Sequence, residues 1–189
     1  MSRGYTRIKA NLMPFASPVV VVSAGNDKKR SFSTYIMFGQ FNEDPPIIGI
    51  GIKEKRFTYS LIKEFGEFVV HIVSEDTLKL ADLGGTSSGR FTDKFETYRV
   101  DLMEPRKVKA PVIKGFPVIL ECVFVQEIPF KDHILVLGKV VESYALENIV
   151  AGGSIDVEKA SLVLANYTRF EYLSGLKHLK KWGFSLSEE

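Results

Sequence analysis

Apolar and polar residues alternate along most of this chain in short runs that turn-forming residues separate. Alternation with a period of two is typical of half-buried β-strands. It predicts strands over residues 19–23, 32–38, 47–52, 68–73, 118–128 and 134–144. Helical periodicity is limited to residues 58–65, 76–83 and 172–182. The pattern therefore predicts a mainly β fold with a few short peripheral helices.

The turn signals and one strand that is apolar on both faces extend this prediction to topology and assembly. Gly25, Asn26 and Asp27 stand between the first two predicted strands. They predict a hairpin, because Gly and Asn tolerate positive φ and Asp can hydrogen-bond its own backbone. Residues 134–141 are apolar on both faces, as expected for a barrel wall that also contacts a second subunit. We expect one barrel-like sheet in a homodimer, with residues 104–115 as a connector.

Length and charge narrow the class of protein. A chain of 189 residues that is 45% hydrophobic can bury one sizeable core, so we expect a single domain over residues 1–189. The formal net charge of +2 is far below what duplex binding usually requires, which argues against a nucleic-acid partner. Residues 1–10 contain no apolar core of signal-peptide length, and no apolar run is long enough to span a membrane. We expect a cytoplasmic protein without a membrane partner.

The few cysteine and histidine residues argue against a metal site. Cys122 is the single cysteine, so no intrachain disulfide can form, and its alternating surroundings predict a buried core thiol. One thiol and three scattered histidines match no metal-ligand spacing. His71 and His178 are interpreted as structural or surface residues. His133 stands at the entrance of a predicted strand, where it suits a site, although a lone histidine is more often structural.

Two segments indicate a site for a phosphate group. In residues 53–58, three basic side chains precede Thr58, which we expect to cap a helix. The free N–H groups and the dipole at a helix start favour anions. In residues 87–95, a Gly-containing loop places Arg90 and Lys94 beside two serine hydroxyls. Each segment taken alone is equally compatible with a capped surface helix or a solvated loop.

One predicted strand offers a flat surface. Ile48, Ile50 and Ile52 fall on one face of it, whereas Gly49 and Gly51 leave the other face without side chains. A flat molecule can approach there, although glycines also relieve crowding at a barrel bend. The chain contains no Ser-His-Asp arrangement, paired-carboxylate signature, Walker loop or GxGxxG motif. This combination suits a phosphorylated aromatic cofactor that supplies its own chemistry.

Eight motifs occur along nearly the whole chain in an order and spacing typical of one family. They are PVVVVSA from Pro18, DPPIIGIGI from Asp44, RFTYSLIKEFGEFVVHI from Arg56, SSGRFTDKFE from Ser87, AP at Ala110, LEC at Leu120, DHILVLGKV from Asp132 and YLSG from Tyr172. The arrangement resembles the flavin reductase-like family of FMN-binding split β-barrels, in particular its flavoredoxin-like branch. The resemblance implies a homodimer of Greek-key split β-barrels with FMN near the subunit interface.

The resemblance also implies the residues of the site. The implied cofactor-binding residues are Ser31, Tyr35, Met37, Phe38, Gly39, Lys55, Arg56, Thr58, Ser88, Gly89, Arg90, Lys94 and Phe170. Thr58 with Lys55 or Arg56 would hold the phosphate, joined by Ser88 and Lys94, with Arg90 close by. Residues 31–39 would run past the isoalloxazine ring. Phe170 would cover the ring, and His133 would lie near it as the catalytic residue.

The sequence departs from the family pattern near the ring. Ser31 and Met37 stand where Asn and Trp are common, which removes a hydrogen bond and an aromatic wall beside the flavin. Lys131 replaces the Gly that often precedes Asp-His, and Gly84 stands where Cys is usual. We expect these differences to affect substrate choice and redox tuning more than the fold.

The resemblance implies an FMN-dependent oxidoreductase. It would take electrons from NADH, NADPH or a protein donor and pass them to free flavin, ferric iron or a redox partner protein. Two other classes stay open: a non-enzymatic flavin-binding electron carrier, and a ligand-free β-barrel interaction protein. Reduction by a pyridine nucleotide separates the first two, and the absence of flavin binding would favour the third.

Overall fold

A seven-stranded antiparallel sheet dominates the computed structural model, which describes residues 4–8, 15–182 and 185. The strands are β1 (Ala16–Pro18), β2 (Val20–Gly25), β3 (Arg30–Tyr35), β4 (Phe38–Asn42), β5 (Ile47–Ile52), β6 (Glu67–Ile72), β7 (Leu102–Met103), β8 (Val112–Ile113), β9 (Val118–Pro129), β10 (Ile134–Ala145), β11 (Val150–Ala151), β12 (Ser154–Ile155), β13 (Leu164–Asn166) and β14 (Glu171–Leu173). The α-helices are α1 (Phe57–Phe65), α2 (Leu78–Thr86) and α3 (Lys94–Thr97), and Glu75–Thr77 and Glu147–Ile149 form 3₁₀ helices. None of the helices in this part of the chain is long and apolar enough to cross a bilayer.

The main sheet curls because its two edge strands are consecutive in the sequence. Its order is β3-β2-β6-β9-β10-β5-β4, and all neighbouring strands are antiparallel. Residues 36–37 pass from one edge to the other, and β3 contacts β5 across the gap. This confirms the predicted mainly β, Greek-key split barrel. The prediction of one strand over residues 32–38 is wrong, because Met37 O accepts a hydrogen bond from Gly51 N at 2.8 Å and draws the chain onto β5.

The predicted hairpin between β2 and β3 is confirmed. Asn26 N donates to Lys29 O at 3.0 Å, and Asn26 Oδ1 accepts from the backbone N–H groups of Lys28 and Lys29. Gly25 has φ 105°, in the left-handed region that a side chain would strain. This turn fixes the register of β3 and therefore decides which of its side chains point into the barrel.

Two hydrophobic clusters lie on opposite faces of the sheet. The cluster inside the barrel contains Val20, Val22, Ala24, Tyr35, Ile48, Ile50, Ile52, Leu61, Ile62, Phe68, Val70, Cys122 and Val136. Helix α1 closes this interior by packing on β2 and β3, while α2 packs on the other face of β3. Cys122 is fully buried, and this burial raises the pKa of its thiol. The prediction of a core thiol is therefore confirmed.

His71 is a structural residue, as predicted. Its Nε2 accepts a hydrogen bond from Ile113 N at 2.9 Å, and its Nδ1 donates to Val21 O at 3.2 Å. Burial lowers the pKa of His71 to about 4, and the Val21 carbonyl only partly opposes this shift. The ring is therefore neutral at physiological pH and ties the connector to the sheet.

Glu121 anchors the same connector and was not anticipated from the sequence. Its carboxylate accepts hydrogen bonds from the backbone N–H groups of Arg106, Lys107 and Val108 and from the Tyr144 hydroxyl. Burial by itself would raise the pKa of Glu121, but these donors together lower it. The connector over residues 104–115 is thus held against the sheet by a buried carboxylate rather than by apolar contacts alone.

The C-terminal segment is not the predicted helix. Residues 171–173 form β14, which pairs with β13, and residues 174–181 have no regular structure. Gly175 has φ 82°, a left-handed conformation that ends any helix beginning before it. Leu179 and Trp182 are exposed, so the helical spacing of the apolar residues has no surface to pack against.

Candidate functional site

Helix α1 presents an uncapped N-terminus beside the edge strand β3. The helix begins at Phe57 with Arg56 as its N-cap, and among the residues that the structure describes no side chain caps this start. The prediction that Thr58 is the cap is wrong, because Thr58 is the second helical residue and is buried. No acidic residue lies in the first turn. The free N–H groups and the helix dipole therefore leave a positive end.

Strand β3 directs a row of hydroxyl groups toward α1. Ser31, Ser33 and Tyr35 alternate along the strand and are all buried. In the described part of the chain, the hydroxyls of Ser31, Tyr35 and Thr58 are buried without a hydrogen-bond partner. Leaving such a group unpaired costs about 1–3 kcal/mol. Three unpaired hydroxyls in one place mark positions that a polar ligand would complete.

The Tyr35 hydroxyl stays protonated at neutral pH. Burial raises the pKa of Tyr35 to about 12, against the smaller lowering effects of Thr58, Arg56 and Ser33. These neighbours lie nearby, but none forms a hydrogen bond of good geometry with the Tyr35 hydroxyl. The phenol is therefore a donor that a ligand can use.

A cleft of about 300 Å³ opens where α1 and β3 meet the loop after α2. It is lined by Ser33, Lys55, Arg56, Phe57, Ser87, Ser88 and Gly89, and we call it the anion cleft. Arg90 stands beside it: its Nη2 donates to Lys55 O at 3.3 Å, and its guanidinium carbon lies 5.6 Å from the centroid of the Phe57 ring. Four residues predicted from the sequence thus share one lining. Cations, hydroxyls and helix N–H groups in this arrangement suit a phosphate.

Gly89 allows the loop to approach β3 closely. A Cβ atom built on Gly89 would lie 2.0 Å from Ser31 Oγ. Any side chain here would therefore push the loop away from the strand. The unpaired hydroxyl of Ser31 therefore lies next to Gly89 of the cleft loop.

Lys94 does not line the anion cleft, contrary to the expectation of a direct phosphate ligand. Its side chain is buried, and Nζ donates to Phe32 O at 2.7 Å and to Gly84 O at 2.8 Å. Burial, and to a smaller extent the charge of Arg56, lowers the pKa of Lys94 to about 8. The structure places this ammonium group behind the cleft, between β3 and α2.

Two smaller cavities continue from the anion cleft along the outer face of β5. The first, of about 170 Å³, is lined by Thr34, Tyr35, Ile36, Met37, Gly51, Lys53, Arg56, His133 and Tyr167. The second, of about 260 Å³, is lined by Met37, Phe38, Gly39, Phe41, Gly49, Gly51, Phe130, His133 and Leu135. Arg56 connects the first cavity to the anion cleft, and the two cavities share Met37, Gly51 and His133. We call the two cavities together the glycine groove.

The flat face predicted on β5 exists, and two side chains cover it. Ile48, Ile50 and Ile52 are buried in the barrel, whereas Gly49 and Gly51 face the glycine groove. A Cβ atom built on Gly51 would lie 2.7 Å from Met37 Cβ, and one on Gly49 would lie 2.5 Å from Phe41 Cε2. Met37 and Phe41 are 39% and 58% exposed, so they rest on the glycines from the solvent side.

His133 lies where the two cavities of the glycine groove meet. Burial lowers its pKa, the charge of Lys53 lowers it further, and Asp132 opposes both effects. The ring is therefore neutral at pH 7, with one N–H donor and one nitrogen acceptor. His133 O accepts a hydrogen bond from Phe130 N at 2.8 Å, which fixes the turn between β9 and β10.

Phe170 is not brought to the groove. Its side chain is 86% exposed, and its ring centroid lies 5.6 Å from that of Tyr167. Tyr167, not Phe170, lines the glycine groove. Phe170 therefore lies apart from the residues that line the anion cleft and the glycine groove.

Several lining residues were not predicted. They are Phe41, Phe57, Phe130, Leu135 and Tyr167. Ser33, Lys53 and Ser87 also line the cavities, and they belong to the predicted segments 31–39, 53–58 and 87–95. Phe41 and Phe130 reach the groove only through tertiary folding, so no local pattern marks them.

Comparisons of the sequence and of the structure with known proteins indicate the same family and fold. A family profile described as "Flavin reductase like domain" matches residues 12–169. An uncharacterized protein of Archaeoglobus fulgidus is 41% identical over 97 residues, which is 51% of this chain and 55% of that protein. An NADH:FMN oxidoreductase of Rhodococcus qingshengii is 27% identical over 141 residues, or 74% of this chain and 70% of that enzyme. Flavoredoxin from Methanosarcina acetivorans has the same fold, with a TM-score of 0.87 and 24% identity over 97% of this chain and 100% of that one.

Proposed function

Because the chain belongs to the flavin reductase-like family, we propose that it binds FMN and works as an FMN-dependent oxidoreductase. In this proposal residues 1–189 act as one domain. Electrons come from NADH, NADPH or a protein donor and pass through bound FMN to free flavin, ferric iron or a redox partner. A relative in Rhodococcus qingshengii is an NADH:FMN oxidoreductase, which supports this class of reaction.

The observation that carries the proposal is the group of three unpaired buried hydroxyls on β3 and α1, the two elements that border the anion cleft. They belong to Ser31, Tyr35 and Thr58. FMN consists of a phosphate, a chain of hydroxyl groups and a flat aromatic ring. The residues present match that order, with cations and helix N–H groups first, then hydroxyls, then a groove floored by glycine backbone. They therefore fit the cofactor.

The anion cleft would hold the phosphate. Arg56 and Lys55 supply positive charge at the start of α1, and Ser88 supplies a hydroxyl from the opposite loop. Arg90 is oriented by its hydrogen bond to Lys55 O and its position near the Phe57 ring. Charge-assisted hydrogen bonds from such donors are stronger than those between neutral groups. The cleft therefore provides most of the binding free energy in this proposal.

The glycine groove would hold the ring. Bound FMN supplies the hydride or electron transfer itself. Met37 and Phe41 would keep water from one side of the groove, since both rest on the glycine backbone. Neutral His133 would accept a proton at its free ring nitrogen or orient the electron donor by its N–H group.

An exposed apolar surface that continues the groove supports a homodimer. The exposed side chains are Phe41, Val123, Val125, Ile128 and Phe130. Leu135 of β10 pairs with Ile128 on one side and with Gly51 on the other, so this surface is continuous with the groove. Contiguous exposed apolar surface is a usual mark of an interface. We propose that a second copy of the chain covers it and closes the groove.

Visible absorbance tests the proposed function. The purified protein is mixed with FMN, separated from free FMN by gel filtration, and then treated with NADH and NADPH without oxygen. An oxidised flavin spectrum that stays with the protein and bleaches with a nucleotide is expected. Retained flavin that neither nucleotide bleaches identifies an electron carrier instead. A protein that retains no FMN contradicts both functions and leaves a β-barrel interaction protein.

A further inference from the structure

A buried cation lies directly behind the anion cleft. Lys94 is 1% exposed, and its Nζ donates to Phe32 O at 2.7 Å and to Gly84 O at 2.8 Å. Phe32 lies in β3 between Ser31, which adjoins Gly89 of the cleft loop, and Ser33, which lines the cleft. Gly84 lies near the end of α2. One ammonium group therefore joins the strand and the helix that border the cleft.

The end of α2 matters because the cleft loop follows it. Residues 87–89 line the anion cleft. Gly85 O accepts a hydrogen bond from Arg56 Nη1 at 3.5 Å. Lys94 thus holds the end of α2 from behind, and Arg56 holds it from the cleft side. Loss of either contact would let the loop move relative to β3.

The charge of Lys94 is not neutralised by a carboxylate in the described residues. The acidic side chains on neighbouring elements have partners of their own: Asp93 and Glu96 pair with Arg30 at 3.2 and 2.9 Å, and Asp82 accepts from Tyr172 at 3.0 Å. Both acceptors of Nζ are neutral carbonyls. Arg56 adds a second positive charge nearby. A buried, unneutralised cation favours an anion in the adjacent cleft.

We propose that Lys94 is a positioning residue, which fastens β3 to α2 around the anion cleft and stabilises a phosphate there through its charge without touching it. This inference rests on the proposed function, in which the phosphate belongs to FMN. It differs from the role of a direct ligand in two respects. The hydrogen bonds from Lys94 to Phe32 and Gly84 are present before any ligand binds. The positive charge of Lys94 acts on the phosphate across strand β3, without direct contact.

The charge role has a definite dependence on pH. Burial first, and the charge of Arg56 second, lower the pKa of Lys94 from its ordinary 10.5 to about 8. A phosphate in the cleft favours the protonated amine, so binding raises this pKa. Between the two pKa values FMN binding takes up a proton, and FMN affinity falls as the pH rises above about 8. The neutral amine still has two N–H groups, so the fastening persists there.

Calorimetry of FMN binding tests the charge role. Titrations near pH 8.5 in buffers of different ionisation enthalpy report the protons exchanged. Wild-type protein is expected to take up a fraction of a proton, whereas Lys94→Met takes up none and binds FMN about 10- to 100-fold more weakly at pH 7. Lys79→Met removes an exposed lysine from α2 and should match the wild type in both respects. Absence of proton uptake by the wild type overturns the charge role.

Hydrogen–deuterium exchange of the ligand-free protein tests the fastening. Lys94→Met should accelerate exchange of residues 84–90 by about tenfold or more, and Lys79→Met should leave it unchanged. Unchanged exchange in Lys94→Met overturns the fastening, whatever its FMN affinity, and leaves the charge role to the calorimetry. If wild-type protein binds no FMN, the proposed function fails but this exchange measurement still decides the fastening. If Lys94→Met does not fold, proton uptake by the wild type decides the charge role.

Discussion

The anion cleft and the glycine groove are neighbours, yet they are built in opposite ways. The cleft depends on groups with fixed positions, such as the buried Ser33 side chain and the uncapped start of α1. The floor of the groove is a strand face without side chains, and the partly exposed side chains of Met37 and Phe41 lie over it. A charged group needs donors that are fixed in advance, because reorganising them costs binding free energy. A flat apolar ring needs contact area, which several side chains can provide. For the proposed function, we infer that the anion cleft determines the affinity for FMN and that the glycine groove determines the reactivity of the bound flavin.

Removal of the cleft cation should have the largest effect. Arg56→Met deletes the guanidinium that the cleft and the glycine groove share. We expect FMN binding to weaken by about 3 kcal/mol, or roughly 100-fold or more. Quenching of flavin fluorescence measures this, and riboflavin provides the control ligand because it lacks the phosphate. Riboflavin affinity should change little, and Lys114→Met, which removes an exposed charge outside the site, should change neither. An equal loss for both ligands would show that Arg56 does not act on the phosphate.

Removal of the groove histidine should have the converse effect. His133→Ala should keep FMN affinity within about threefold but slow reduction by NADH or NADPH by about 100-fold, because the proton acceptor or donor-orienting N–H is lost. Anaerobic stopped-flow absorbance at saturating nucleotide measures the rate. His178→Ala, on the exposed C-terminal segment, is the matched control. An unchanged rate in His133→Ala would remove the catalytic role and leave His133 as a turn residue.

Strand alternation made most of the barrel predictable, because burial on one face imposes a period of two on any sequence that folds this way. The hairpin at Gly25 and the glycine face of β5 were predictable for the same local reasons. The break after Tyr35 was not, since it arises when residues 36–37 cross from one sheet edge to the other. Such a crossing is a property of the closed sheet and not of the local pattern.

The sequence showed which residues approach the anion cleft more reliably than which way their side chains point. Lys55, Arg56, Ser88 and Gly89 lie in the cleft as a group. Lys94 lies in the right segment but turns inward, because its long side chain can reach two carbonyls behind the strand. The missing helix near the C-terminus has a related cause. Amphipathic spacing predicts a helix only where a surface exists to bury its apolar side.

Removal of one unpaired hydroxyl should stabilise the ligand-free protein but weaken its binding of FMN. Thr58→Val removes a buried hydroxyl that has no partner, so the ligand-free protein should become more stable by about 1 kcal/mol. If FMN uses that hydroxyl, the same variant should bind FMN about tenfold more weakly. Thermal unfolding with and without FMN measures both effects.

Thr34, on the neighbouring strand β3, offers the matched control. Its hydroxyl donates to Ala81 O, on the face away from α1. Thr34→Val removes this hydrogen bond and should lower the stability of the ligand-free protein. A Thr58→Val protein that is less stable than the wild type would show that the hydroxyl is already satisfied without a ligand, and would remove the main support for the cofactor site.

The smallest effect on binding is expected at Met37, where the groove differs from the family pattern. Met37→Trp replaces a flexible thioether with a flat aromatic side chain over Gly51. FMN affinity should change by no more than about threefold, because the Trp side chain replaces the contact area that Met37 provides. The flavin absorbance band and its fluorescence should nevertheless shift, since an aromatic ring would then lie beside it. Titration followed by spectra of the saturated protein separates the two quantities. A loss of affinity as large as that of Arg56→Met would mean that the glycine groove also anchors the cofactor. The inferred division of roles between the anion cleft and the glycine groove would then be wrong.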